Sequence, residues 1–499
     1  MTRAGQRPRA RPRPAARPAV RIGRPARGRP AEKRRQAGAL RARLELLVTA
    51  IGGFIVALCG TIIIPILPEL SRDLDASFAA VSWALTASTL VSAVSVPVMG
   101  RLGDMYGKRK VLLVALAAAV VGSLICALSG DIATLIVGRS VLGLSNAAIP
   151  LGISLLSELL PPDQESSGIA LVSAMLGIGG ALGLPLAGAV AGNWDYHVLF
   201  WLTGGVALIA TIGVAAIVPE SPIRAPGRLD PVGSLLLAVG LTALLVPLAQ
   251  GDSWGWLSPL TVGLVAVALL LFHTLIRYEL RHDSPTVDVR AAAKRPILLT
   301  NIATVLVGFS LFASFVGTAA YVEAPESTGY GFGASVFIGG LCMLPGGLMM
   351  LVISPFAARI IDRYGAKATL LTGCAIIALG FVLRIVLYQT IWLVVLGATV
   401  GGVGSAIAYS AMPKLILQAT VPEEKAAANG LNALARYLGN ALASAVGAGI
   451  QASLVISVAD HDYPSLTAYN IIFVASALAA VLAAVCASFV PRREPLALS

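Results

Sequence analysis

Three observations on this 499-residue chain predict an all-α polytopic membrane protein. Fourteen stretches of roughly 18–25 mostly apolar residues follow one another, each long enough to cross the ~30 Å hydrocarbon core as a helix rising 1.5 Å per residue. Hydrophobic residues make up 57% and charged residues 12%, and the mean hydropathy is +0.83, which leaves no stretch for a separate enzyme domain. Lys and Arg crowd into alternate loops, as expected of a chain threaded through a bilayer. Helices are required because an open sheet leaves backbone groups unsatisfied in lipid.

The predicted spans are 44–67, 78–99, 109–130, 132–154, 168–191, 197–218, 231–250, 259–277, 297–321, 335–354, 368–387, 391–412, 429–452 and 467–490. They group as a tail (1–43), a six-helix bundle (44–218), an inserted helix pair (231–277), a second six-helix bundle (297–490) and a short C-terminal tail (491–499). The first tail holds fifteen Lys/Arg against one acid, Glu32, whereas the whole chain has a net charge of +12, so the remainder is slightly acidic. Rich in Pro and Arg and poor in large apolar residues, this tail is expected to be disordered. Attraction to anionic lipid, nucleic-acid binding and a purely orienting role all stay open for it. The run at Leu44–Leu67 is too long, and starts too late, for a signal peptide.

Arg72 is the one basic residue assigned to the outer loops, while Arg101, Lys108, Arg109, Lys110, Arg224, Arg228, Arg290, Lys294, Arg359, Lys367 and others fall in the inner ones. Both termini are therefore expected in the cytoplasm of a multi-pass cell-membrane protein. The five cysteines all lie in apolar spans and form no Cys-x-x-Cys pair, and the four histidines show no ligand spacing, so neither disulfide nor metal is expected.

A loop pattern occurs twice. Pro97-Val-Met-Gly100-Arg101-Leu-Gly-Asp104-Met-Tyr-Gly107-Lys-Arg109 is matched by Pro355-Phe-Ala-Ala-Arg359-Ile-Ile-Asp362-Arg-Tyr-Gly365 at a constant offset of 258 residues. Two copies in one register argue for two related halves. Glycines permit a tight turn, and Asp104, placed just before the third span, is expected to favour that helix's positive end and to pair with a neighbouring arginine. A loop that locks helices in one conformation and releases them in another would serve as a gate.

The Gly100–Lys110 loop resembles the signature between helices 2 and 3 of the major facilitator superfamily, and the resemblance covers residues 44–490. With fourteen spans, Leu229-Asp230-Pro-Val-Gly233 opening the seventh and Gly251-Asp-Ser-Trp254-Gly-Trp256 closing it, the chain looks like the drug/proton antiporter family of actinobacterial type. The resemblance implies two bundles around a central cavity, alternating access, and an accessory helix pair between them. Arg139, with Gly143 and Asn146 further along the fourth span, is similar to the family's arginine motif, although Leu142 replaces the usual glutamine. Its implied role is proton relay or substrate contact; a structural arginine bonded to backbone carbonyls is the alternative. Gly179, Gly183, Pro185 and Gly188 in the fifth span resemble the antiporter signature, with the proline one residue late, and tight helix packing explains the glycines nearly as well.

The first span departs from the family. Cys59 stands where aspartate is usual and Ile64 where asparagine is usual, and no acid lies near the middle of any span. By elimination the candidates for proton coupling are Glu323, beside the glycine-rich Gly329–Gly333 that would line the cavity, then Asp131 and Glu69. Without a Gly-x-x-x-x-Gly-Lys-Ser/Thr loop, ATP is not the energy source. The expectation is a non-enzymatic exporter of hydrophobic or amphipathic small molecules such as drugs and antibiotics. It needs no cofactor beyond a proton gradient, sits in the lipid bilayer as a monomer and binds no nucleic acid. An uncoupled or importing facilitator, or a non-transporting sensor or scaffold, is the alternative.

Overall fold

The computed structural model describes residues 29–191, 194–282, 284–458 and 461–491. The chain divides after Arg41, and the membrane bundles belong to the unit from Ala42 onward. Residues 1–28 and 492–499, most of the two tails, lie outside the described residues. The helix α1 (Arg29–Thr61) already begins inside the stretch expected to be disordered. Residues 31–43 contain Ala, Lys, Arg, Gln and Leu and no proline, which makes them good helix formers.

The remaining helices follow as α2 (Leu67–Asp73), α3 (Phe78–Tyr106), α4 (Lys108–Ala127), α5 (Ile132–Leu144), α6 (Ala148–Leu159), α7 (Pro162–Ala191) and α8 (His197–Ile217). Then come α9 (Pro231–Trp254), α10 (Pro259–Glu279), α11 (Val289–Ala292), α12 (Arg295–Glu323), α13 (Val336–Tyr364), α14 (Ala366–Val386), α15 (Ile391–Ala419), α16 (Lys425–Ser453) and α17 (Leu466–Ser488). A small antiparallel hairpin, β1 (Val455–Val458) and β2 (His461–Pro464), joins α16 to α17. Thirteen of these spans, counting α5 and α6 as one from Ile132 to Leu159, are long and apolar enough to cross a membrane. The helix α16 is equally long as most but keeps a buried polar face of Asn429, Asn432 and Arg436.

Two spans differ from expectation. The first ends at Thr61 instead of Leu67, because Pro65 has no N–H to donate and its ring crowds the Thr61 carbonyl; the chain turns through 62–66 before α2. The fourth is broken by a 3-10 turn at Ser145–Ala147 and extends to Leu159. Several helices also run past the bilayer thickness, so the Arg101 and Asp104 turns belong to α3 itself, and Arg359 and Asp362 to α13. Only Gly107 and Gly365 form the turns, with φ of +117° and +84° that glycine alone adopts without strain.

Two cores result, one drawn from α1–α8 and the other mainly from α12–α17. They meet along two seams. In one, α7 lies antiparallel to α13: a methyl built on Gly340 would come within 2.6 Å of the Pro185 nitrogen, and one on Gly188 within 3.1 Å of Phe337 Cα. On its other side α7 receives α1, where a methyl on Gly179 would meet the Phe54 carbonyl at 2.6 Å and one on Gly183 would strike Thr61. In the second seam α3 and α6 face α16. The pair α9/α10 packs through α9 onto α3 and α16, while α10 turns Leu269 and Leu270 outward. Asp230 holds that pair together: its Oδ1 accepts the N–H groups of Val232 and Gly233 at 3.0 Å and the Tyr278 hydroxyl at 3.1 Å.

The first seam depends on backbone contact, so bulk there is expected to be costly. Gly340→Val should lower the thermal transition of the purified protein by an amount equivalent to about 1–3 kcal/mol. Gly205→Val, at an open position of α8 with no atom within 4 Å, should leave it unchanged.

Candidate functional site

The sequence repeat lands at one end of the bundle, here called the basic face. Asp104 is fully buried in the last turns of α3, and it does not serve α4 as expected. The first turn of α4 is taken by Glu220, whose carboxylate accepts the N–H of Arg109 at 2.9 Å and of Lys110 at 3.2 Å. Asp104 instead crosses to the other half. Its Oδ1 accepts the Ala426 N–H at 3.1 Å and its Oδ2 the Ala427 N–H at 2.7 Å, both in the first turn of α16. Two orphan donors of a helix start are thereby satisfied by a charge at the positive end of the dipole.

The partner of Asp104 is a lysine and not an arginine. Lys108 Nζ lies 2.9 Å from Asp104 Oδ1 and 2.9 Å from Glu158 Oε1, with all three side chains out of solvent. Glu158 also accepts from the Ser221 hydroxyl, and the Asp104 carbonyl accepts the Ala225 N–H at 2.8 Å. Beside this cluster a methyl on Gly100 would come within 2.6 Å of the Ala426 carbonyl, so α3 and α16 touch backbone to backbone. Ser154 adds a bond to the Lys425 carbonyl (3.1 Å) and accepts from Asn429 (2.9 Å). Lys414 of α15 pairs with Glu165 of α7 at 2.8 Å. The basic face is closed in this structure.

The other members of the repeat are placed differently. Arg101 is buried and lines a small cavity with Asp288 and Glu424. Arg109 is half-buried and its guanidinium donates to the Ala215 carbonyl. In the second copy Arg359 and Asp362 are exposed, Arg359 lying 5.3 Å above the Phe356 ring.

Within the bundle, Arg139 is 1% exposed and its Nη1 donates to the Cys59 carbonyl at 2.6 Å, while its Nε has no partner. Asn146 spans the second seam: it donates to Ser92 Oγ (2.8 Å) and accepts the Tyr437 hydroxyl of α16 (2.7 Å). The three acids named as coupling candidates are not brought to Arg139. Glu323 is half-buried at the C-terminal residue of α12, beside Gly339. Glu69 lies on α2, where burial, reinforced by the Asp73 charge, raises its pKa above the usual carboxylate range. Asp131 caps α5, accepting from the Thr134 N–H (2.9 Å) and hydroxyl (2.7 Å), which hold its pKa below that range. In the Gly329–Gly333 segment, Tyr330 packs on Tyr321 and Tyr469 at the end of the second bundle.

Sequence reasoning missed Arg384. It is 2% exposed near the end of α14, donates to Ser314 Oγ at 3.1 Å and stacks 4.0 Å above the Phe473 ring. Its signal was available as the lone charge after Lys367 in the apolar run 366–386. Beside it, a small cavity lined by Ser310, Ser314, Phe315, Phe381, Met350 and Ser405 faces α7, for Met350 touches Gly177 and Phe315 approaches Gly180.

Two membrane-spanning bundles, a repeated Arg/Asp/Gly turn and a glycine-lined seam now frame the comparison with known proteins. The Major Facilitator Superfamily description matches residues 49–383 and 332–498. The chain belongs to this superfamily. Among its relatives, the tetracenomycin C resistance and export protein of Streptomyces glaucescens is 29% identical over 419 residues, covering 82% of this chain and 76% of the relative. The multidrug resistance protein Stp of Mycobacterium tuberculosis is 24% identical over 406 residues, covering 81% and 74%. The crystal structure of the human organic anion transporter MFSD10 shares the fold at TM-score 0.64 and 17% identity, covering 89% of this chain and 99% of that one. The protein is a multi-pass membrane transporter of small molecules and not an enzyme.

The buried triad makes a stability prediction. Lys108→Met leaves two sealed carboxylates without their cation and should destabilise the protein by about 3–5 kcal/mol, the usual penalty for breaking a buried ion pair. Adding Glu158→Gln removes one of those charges, so the double variant should unfold at a higher temperature than the single one in purified samples.

Proposed function

We propose that this superfamily member exports hydrophobic or amphipathic small molecules, drugs and antibiotics among them, by proton antiport through alternating access. The observation that carries the mechanism is the Asp104 carboxylate seated on the start of α16. Its burial holds only while the two halves are together, which makes Gly100, Arg101, Asp104, Gly107 and Arg109 a gate, with Arg359, Asp362 and Gly365 as its counterpart. The names of the two relatives, both resistance proteins and one an exporter, support outward transport. The Lys/Arg bias supports cytoplasmic termini; on that reading the closed basic face is the cytoplasmic one and the described conformation is closed to the cell interior. With α16 (Lys425–Ser453) added to the thirteen apolar spans, the chain comprises two six-helix bundles and one inserted pair. It acts as a monomer without nucleic acid.

One proton crossing ~100 mV releases about 2.3 kcal/mol, and a pH difference of one unit adds roughly 1.4. Together they sustain a substrate gradient of several hundred-fold. Glu323 is the first candidate for carrying the proton, with Arg139 and Asn146 as candidates for relay or substrate contact. An uncoupled facilitator is the second reading, favoured by the absence of an acid partner for Arg139 among the described residues.

Efflux of a fluorescent amphipathic dye from cells, with and without a protonophore, tests the proposal. Export that collapses with the protonophore is expected, and export that ignores it selects the uncoupled reading. Asp104→Asn should reduce efflux at least tenfold while the protein remains inserted; normal efflux from that variant rejects the gate. In proteoliposomes, Glu323→Gln should bind substrate yet lose substrate-induced proton release, and full release would remove Glu323 from the mechanism.

A further inference from the structure

The inserted pair sits astride the seam that the gate opens. Leu237, Leu241 and Leu245 of α9 cluster with Ala93 of α3 and Leu434 of α16, so this helix packs on both halves at once. Its two connectors, residues 218–230 before α9 and 284–294 after α10, close over the same end of α3. The first is anchored among the gate residues: Ser221 donates to Glu158, Glu220 accepts from the start of α4, and the Ala225 N–H donates to the Asp104 carbonyl at 2.8 Å. The second covers Arg101, which shares its small cavity with Thr286 and Asp288 and, from the other half, with Glu424 and Ala428.

A buried hydroxyl ties the second connector to the first. Thr286 is 2% exposed, and its Oγ1 donates to the Asp230 carbonyl at 3.1 Å and lies 3.0 Å from Ser234 Oγ. Ser234 reaches the same carbonyl at 2.7 Å, and the neighbouring Val287 N–H donates to Glu279 at 3.3 Å. Close by, a methyl on Gly227 would come within 3.1 Å of Ser284 Oγ and 3.4 Å of Arg101 Nη2, so both connectors and the arginine of α3 meet at one point. Every one of these ties runs to α3, α9 or α10. Toward α16 the second connector presents the cavity instead, and α9 presents only apolar side chains. Its grip is therefore firm on the first half and releasable on the second, since parting apolar faces breaks no directional bond.

We propose that the inserted pair is a clasp on the gate: fastened to the end of α3 by its connectors and knotted at Thr286, it lies across the seam and must slip off α16 before the basic face opens. The proposal rests on the gate reading above and extends it to a part of the chain that reading leaves idle. Thr286 is a positioning residue, acting through the connector it holds down. Loosening the knot frees the connector and α9 to tilt away from α16, which raises the population open at the basic face.

The test follows opening directly, in the purified full-length protein in lipid nanodiscs with neither substrate nor gradient. Ser154→Cys is the reporter: Ser154 is buried on α6, bonded to Lys425 and Asn429 across the seam and to neither connector. Its rate of reaction with a hydrophilic maleimide is read after subtracting that of the native cysteines, which are buried or half-buried. Thr286→Val keeps the shape of the side chain and removes its hydroxyl, and should speed labelling about fivefold, the worth of a typical hydrogen bond. Thr286→Ser should restore the original rate. Ser234→Ala should speed labelling about twofold, and decides the matter if Thr286→Val does not fold. A second reporter, Ala428→Cys, lies under the connector itself. Faster labelling there with an unchanged rate at Ser154→Cys would mean a local cover and no clasp, and an unchanged Ser154→Cys rate in both Thr286→Val and Ser234→Ala overturns the proposal. Asp104→Asn, measured alongside, should accelerate the same reporter on the gate reading alone, so the clasp can fail while the gate stands.

Discussion

A lysine sealed between two carboxylates at the junction of the halves is the constraint on which the rest of the arrangement depends. Removing three charges from water costs several kcal/mol per ion, and mutual attraction offsets this only when every remaining oxygen finds a donor. Here Glu158 takes the Ser221 hydroxyl and Asp104 takes two N–H groups of α16. The first bundle cannot complete this network alone, since the last two donors belong to the second. Contact between α3 and α16 therefore follows from electrostatic necessity, and the backbone approach at Gly100 is what lets Asp104 reach.

The two copies of the repeated turn meet different surroundings, which explains why one is buried and the other exposed. The helix α7 stands in the first bundle where α16 stands in the second, each being the fifth span of its half. The first turn of α7 already carries Asp163 and Glu165, so its positive end is complemented locally. The first turn of α16 has no acid of its own and leaves its N–H groups for Asp104. With Glu165 also engaged by Lys414, nothing at the start of α7 calls for Asp362. Pseudo-symmetry of sequence thus gives a one-sided lock.

Much of the architecture was legible because bilayer thickness fixes helix length and Lys/Arg placement alternates between loops. Errors arose where a residue's partner is distant in sequence. The local pattern assigns Asp104 to the helix following it, yet Glu220, more than a hundred residues on, occupies that helix start. In sequence Lys108 is only a topology signal, and neither it nor Glu158 has a local pattern that marks it as one member of a triad. Asp131 was legible only as an acid near a span; the Thr134 contacts that make it a cap follow from the turn geometry of α5. Arg384 was readable in principle as an isolated charge in apolar sequence, while Ser314 and Phe473, which give that charge its setting, come from two other helices.

The seams divide the cost of any relative motion unequally. Along α7 and α13 the close contacts set small residues against backbone, so sliding or tilting there changes mainly dispersion contacts. Along α3 and α16, separation uncovers Asp104, two helix N–H groups, and the Asn146–Tyr437 bond at once. Those groups must be rehydrated together, because each is buried only while the others are. If the halves rock as proposed, the glycine seam is where they pivot and the charged seam is where they part. The barrier then resides in a few named hydrogen bonds, and water must enter at the basic face before the path from that side can open.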